Sequence, residues 1–286
     1  MIGLPPHDGT SCSPHKTPPK GSMSSTIPNS APQQSPDLAA LGVHRLGSEV
    51  VNFYLVECPD GLVLVDSGLP GHFGQLQETV TRLGRDLPDI RAVLLTHAHP
   101  DHTGLAERLR AGAGAEIWVH QHDAPILADG PRSATRHAKP ERSVLPYLLR
   151  RPSAIRTPLH MARHGAFNAP KVQNVSTLTD EQPLQTVPGR PQPIGLPGHT
   201  LGSVAYLFAD RGLLFTGDAL VTHDGLTGHT GPGLVCRGFT HDSAAAAASL
   251  DRIAVLPHLL ILPGHGDPFT DGPRAAARQA MVNGTK

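Results

Sequence analysis

The sequence predicts an α/β protein in which two sheets pack face to face with helices outside them. Three observations carry that prediction. Apolar, β-branched runs come in pairs separated by turn residues, segments of helical periodicity follow them, and this order of strand pair then helices occurs twice along the 286 residues.

Each element has its own reason. Residues 1–37 are dense in Pro, Ser, Thr and Gly with almost no apolar pattern. They cannot bury enough surface to offset ordering entropy, so a disordered tail is expected there and the folded domain over 38–286. From Val43 the texture changes: VVNFYLVEC (50–58) and GLVLVDSG (61–68) read as paired strands across the Pro59-Asp60-Gly61 turn. GQLQETVTRLG (74–84) places Leu76, Val80 and Leu83 at helical spacing and ends in a glycine suited to a cap. RAVLLTH (91–97) reads as a buried strand, DHTGLAERLRAG (101–112) as a helix and AEIWVHQ (115–121) as a strand with Trp118 in the core. Residues 130–175 break the pattern with scattered Pro, Arg and His around one short helix, SVLPYLLRR (143–151). An insertion or lid is expected there, with Tyr147 and its apolar neighbours lining the site or forming a dimer contact. The second half resumes with RPQPIGLPGHT (190–200), SVAYLFAD (203–210) and GLLFTGDAL (212–220). A helix over 242–253, a strand at HLLILPGH (258–265) and a terminal helix over 272–282 follow.

Composition removes whole classes of function. Lys+Arg and Asp+Glu are equal at 24 each, so no net field steers the chain to nucleic acid or an anionic membrane, and the partner expected is a small-molecule substrate. No stretch approaches a bilayer span and the N-terminus lacks a secretory h-region, so a soluble, cytoplasmic protein is the default expectation. Cys12, Cys58 and Cys236 are far apart and never in a CxxC pair, which argues against disulfides and thiolate metal sites.

The 18 histidines are the unusual feature, and they concentrate at LLTHAHPDHTG (94–104). If 91–97 is a strand, His97 and His99 project to one side at its end. Asp101 and His102 follow the Pro100 turn and can aim back at the same point. Imidazole and carboxylate without thiolate suit Zn²⁺ foremost, or Fe²⁺ or Mn²⁺, and four such groups exceed what one open catalytic ion takes from a protein. Three more apolar runs end in a glycine turn beside a ligand type: His199 in LPGHTLGS, Asp218 in LLFTGDAL and His265 in LILPGHGD.

With these residues assembled, residues 43–275 resemble the metallo-β-lactamase fold superfamily through five motifs: Asp66 in VDSG, the HxHxDH run, His199, Asp218 and His265. The resemblance implies a four-layer αββα sandwich and two divalent metal ions. By motif, His97, His99 and His199 would hold one ion and Asp101, His102 and His265 the other, with Asp218 bridging and Asp66 orienting a ligand from behind. It implies a hydrolase whose metal-bridging hydroxide attacks a thioester, lactone or related acyl bond, with Asp101 orienting the hydroxide and shuttling a proton.

Asp218 as a bridge resembles the glyoxalase II and lactonase branches and disfavours β-lactams. The glyoxalase II likeness extends to GHTLGS and FTGDAL, but only one helix follows His265, which points away from glutathione to a less charged acyl group. A mononuclear iron dioxygenase acting on persulfides shares His97, His99, His199 and Asp218 and is the alternative of another class. His120 and His122 read as surface residues, and His160, His164, His223, His229 and His241 each read as bland unless they reach the substrate pocket.

Overall fold

The computed structural model describes residues 1–3, 36–179 and 181–286, so the expected tail lies almost wholly outside the described residues. Within Ser35–Lys286, a single compact unit, the first sheet has the order β1 (Val43–Gly47), β2 (Asn52–Cys58), β3 (Gly61–Val65), β4 (Ile90–Leu94), β5 (Glu116–His120) and β6 (Ser176–Leu178). Strands β1 to β3 pair antiparallel and β3 to β6 parallel. Helices α1 (Phe73–Arg82), α2 (Ala106–Ala113) and α3 (Ala124–Asp129) lie between its strands in the chain. The segment expected as an insertion carries α4 (Ala134–His137), α5 (Leu145–Arg150) and α6 (Arg156–Arg163). In the second sheet, β7 (Gln192–Gly195), β8 (Val204–Phe208) and β9 (Leu213–Gly217) pair antiparallel, and β12 (Leu260–Pro263) joins β9 in parallel. A two-stranded ribbon of β10 (Val221–His223) and β11 (Thr230–Gly233), with helices α7 (Ser243–Ala254) and α8 (Pro273–Asn283), completes the described chain.

The two-residue period of the strands builds the layers. In β2 and β3, Phe53, Leu55, Leu62 and Leu64 face a cluster with Leu76 and Val80 of α1 and Leu109 of α2. Their neighbours Tyr54, Val56, Val63 and Val65 face the other way, onto Val204, Tyr206, Phe208 and Phe215 of the second sheet. Ala205, Leu214 and Ile261 then point from that sheet to Leu250 and Ile253 of α7 and Ala276 and Ala280 of α8. Three apolar interfaces between four layers make the αββα sandwich, and the central strands β2, β3 and β9 are buried on both faces because both are covered.

Three expectations need correction. Strand β4 ends at Leu94, not His97, and α2 starts at Ala106, not near Asp101. The cause is local competition for donors. Leu95 N–H still reaches the Trp118 carbonyl, but the Thr96 N–H goes to Asp66 and the Ala98 N–H to Asp123, so side chains end the ladder. Beyond it, Gly104 lies against the Gly68 carbonyl and Pro70, where a Cβ would approach to 2.5 Å, and this crossing holds 101–105 as turns. Finally, Tyr147 does not line the site. It is buried against Leu226 and Cys236 and donates its hydroxyl to the Lys286 carbonyl at 2.8 Å, anchoring α5 to the body. Its neighbours Leu145 and Leu149 are exposed. Trp118 packs beside the central core as expected, Cys58 and Cys236 are free and buried, and no helix of the described residues is long and apolar enough to cross a membrane.

Candidate metal centre

The four chain segments that follow β4, β7, β9 and β12 meet and bring all seven motif ligands together, with Asp66 after β3 behind them. This is where a sheet with parallel strands leaves side chains free to converge, beyond the last backbone pairing. The ligand atoms of His97, His99 and His199 lie within 4.8 Å of one another, as do those of Asp101, His102 and His265 and those of His97, His102 and Asp218. Asp218 sits between the two outer groups. Its Oδ2 is 3.3 Å from His199 Nε2 and 3.0 Å from His265 Nε2, and its Oδ1 is 3.4 Å from His102 Nε2. Gly264 makes room for that carboxylate, since a Cβ there would come within 2.4 Å of Asp218 Oδ1.

Whether this cluster suits cations follows from where each ring holds its proton. Thr96 Oγ1 lies 2.9 and 3.0 Å from the Asp66 oxygens, which only accept, so the hydroxyl donates to Asp66 and accepts from His97 Nδ1–H at 3.1 Å. The lone pair of His97 is then on Nε2, a buried atom with no hydrogen-bond partner among the described residues. His102 Nδ1 donates to Asp66 Oδ2 at 2.8 Å, and His265 Nδ1 donates to the Val50 carbonyl. Both rings thereby turn Nε2 inward. His99 Nδ1 and His199 Nε2 face each other at 2.8 Å, and His102 Nε2 and His265 Nε2 at 3.4 Å. Nitrogens converging on nitrogens and on Asp218 Oδ1, which has no hydrogen-bond partner among the described residues, are in a buried site what bound cations would satisfy. The residues fit two metal ions of the kind that imidazole and carboxylate hold.

Asp66 stands behind this arrangement, 3 % exposed and at φ 57°, a left-handed conformation that an aspartate tolerates better than most residues. It touches His102 directly and His97 through Thr96. Asp123 was not singled out by the sequence, and the structure gives it a matching part. It is 1 % exposed; Oδ2 accepts from Ala98 N–H at 2.9 Å and the Thr200 hydroxyl at 2.8 Å, and Oδ1 accepts from Gly202 N–H at 2.9 Å. One carboxylate thus ties the His97–His99 loop to the His199 loop. A buried acid directly after a strand and before α3 was a signal, but HQHDAP reads equally well as an ordinary helix start.

The floor of histidines and aspartates opens into a cavity of about 740 Å³ whose far wall comes from the 131–167 segment. Asp101, His99, His199, Asp218 and His265 line it, as does His223. The other scattered histidines do not. His120 and His122 pair edge to face beside β5, and His160 and His164 stack on each other against His72.

Comparison with known proteins gives the family. The family described as the metallo-beta-lactamase superfamily matches residues 46–265. The probable metallo-hydrolase YflN of Bacillus subtilis is 27% identical over 246 residues, covering 81% of this chain and 86% of that protein. A hydroxyacylglutathione hydrolase of Albidiferax ferrireducens is 30% identical over 191 residues, 66% of this chain and 52% of the relative. Among solved structures, the metallo-beta-lactamase family protein TTHA1429 from Thermus thermophilus superposes with a TM-score of 0.62 at 25% identity, covering 85% of this chain and 79% of that one. TTHA1623, solved in a di-iron-bound form, superposes with a TM-score of 0.60 at 26% identity, over 84% of this chain and 98% of that one.

Proposed function

From the premise that this chain belongs to the metallo-beta-lactamase superfamily, we propose that it is a dinuclear metallohydrolase cleaving an ester-like acyl bond, a thioester or lactone. The single observation that carries the reading is the Asp218 carboxylate set between two complete ligand triads, one on each side. His97, His99 and His199 would hold one ion and Asp101, His102 and His265 the second, with Asp218 placed between the two sets. Zinc is the first candidate by ligand type, with iron or manganese as alternatives. When bound, two divalent ions would supply a hydroxide nucleophile at neutral pH and polarise an acyl carbonyl.

The chain does the rest. Asp66 fixes the ring orientation of His102 and, through Thr96, that of His97. Asp101 lies at the cavity edge, 3.6 Å from His265 Nε2 and 3.7 Å from His102 Nε2 by one oxygen, and serves as the group that accepts the proton of the attacking water and returns it to the leaving atom. The deciding assay is turnover of the zinc- and manganese-loaded protein on thioesters, lactones, β-lactams and phosphodiesters. Hydrolysis of a thioester or lactone well above the others is expected. One iron per chain with oxygen uptake on a persulfide, or cleavage of phosphodiesters alone, overturns the reading.

A further inference from the structure

The cavity above the metal centre has two kinds of wall. Ala134, Ala138, Met161, Phe167, Leu226 and Phe239 make most of it apolar, and at 740 Å³ it has the volume of a site for a small organic molecule. Set into the same wall are three cations of the 131–167 segment: Arg132, Arg151 and Arg156. None of them forms an ion pair with a carboxylate among the described residues, whereas Arg45, Arg110, Arg136, Arg237 and Arg252 all do. Arg132 is held by the Phe167 carbonyl and the Asn168 side chain, at 3.1 and 2.8 Å. Arg151 is half-buried, and among the described residues its guanidinium donates to the Gly225 carbonyl alone, at 3.1 Å, out of the five N–H donors it carries. It lies close enough to the metal-side residue His223 that, after burial, its charge is the main influence keeping that ring below the usual histidine range.

The acids on this cavity do not neutralise the arginines. Asp101 and Asp218 belong to the metal centre. Asp224 accepts the N–H groups of Leu226, Thr227 and Cys236 at 2.8, 3.0 and 2.8 Å. Glu49 is exposed at the rim. A half-buried guanidinium without a carboxylate, beside an apolar channel, is a site for an anion that arrives with the ligand.

We propose that the cavity takes an acyl substrate whose carbonyl sits at the histidine and aspartate floor, whose chain lies along the apolar wall, and whose far end carries a carboxylate or phosphate bound by Arg132, Arg151 and Arg156. This deepens the hydrolase reading and rests on it. It departs from the expectation of a less charged acyl group, and the experiment below decides between them. In the overall step the water oxygen bonds to the carbonyl carbon and the C–S or C–O bond breaks. The leaving group keeps one proton, and the acyl part departs as a carboxylate with release of the other.

Binding of products tests this without turnover. The zinc-loaded full chain is titrated by calorimetry with adipate, suberate and sebacate, with the monoacids hexanoate, octanoate and decanoate, and with phosphonate-ended acids of the same lengths. At one length an acid with an anionic far end is expected to bind about tenfold more tightly than its monoacid, the scale of one charge-assisted contact. Carboxylate and phosphonate arms show which anion is preferred. Arg151→Gln and the exposed Arg156→Gln each bring the ratio toward one. Equal affinities at every length, or a ratio that survives both substitutions, overturn the proposal. Thiophenyl esters of the same acids are assayed alongside. An anionic preference in binding with no ester or lactone turned over rejects the hydrolase reading and leaves the anion site standing.

Discussion

In the triad of His97, His99 and His199, burial holds all three rings below the usual histidine range; neighbouring imidazoles push His97 and His199 far below it, while at His99 the Asp101, Asp123 and Asp218 carboxylates oppose burial. In the triad of Asp101, His102 and His265, burial acts in the same direction, but the Asp218, Asp66 and Asp101 carboxylates overcome it. His102 is pushed up to about 10 and His265 to about 9. Both triads share Asp218, which lies well below the usual carboxylate range because the facing imidazoles outweigh its burial. The difference shows that a ligand set can be prepared in two ways. The first triad presents lone pairs already free of protons, and the second holds protons that a cation must expel.

The largest effect is expected where the triads meet. Asp218→Ala removes the shared carboxylate and is expected to lower turnover by roughly a thousandfold or more with the fold largely kept. Hydrolysis at the parent rate with a parent-like melting curve would break the assignment. Acidity separates the triads next. A ring whose pKa is raised above its ordinary value must lose a proton to bind, so metal affinity at His102 and His265 falls as pH drops below their values of about 10 and 9. Lowering the pH by about two units, from mildly alkaline to mildly acidic, should weaken the second ion about a hundredfold for each proton expelled, and the first far less. Metal content across that range is expected to step from two equivalents to one, and parallel loss of both ions would erase the contrast.

The supports sharpen it further. Asp66→Asn keeps the shape but removes the charge behind His102 and is expected to cost about ten- to a hundredfold in affinity for the second ion. Asp123→Asn turns a donor toward N–H and O–H groups that only the carboxylate can accept, and should weaken the first ion about tenfold. Competitive chelator titration resolves the two ions. Equal loss at both sites in the Asp123 variant would make that residue a general support and not a positioning one for the first triad.

Much of this is legible in the linear chain. The seven ligands stand in short runs because each follows a strand end, where glycine and proline mark the turn, and that punctuation needs no folding to be seen. The alternation argument for His97 and His99 was nonetheless the wrong reason for a correct convergence, since β4 stops at Leu94 and a loop carries both rings. What ended the strand was Asp66 and Asp123, from 30 residues before Thr96 and 25 after Ala98, and competition over such distances leaves no local pattern. Helix α6, RTPLHMAR, was missed because it holds no apolar run, and the ribbon of β10 and β11 because TGPG has the composition of a turn.

The central claim is that seven side chains from four strand ends hold two cations around Asp218. Anomalous diffraction at the zinc edge from crystals of the zinc-loaded protein tests it most directly. The account predicts two peaks, one among His97, His99 and His199 and one among Asp101, His102 and His265, both within ligand distance of Asp218. A single peak, or peaks elsewhere on the surface with these rings turned apart, would contradict it.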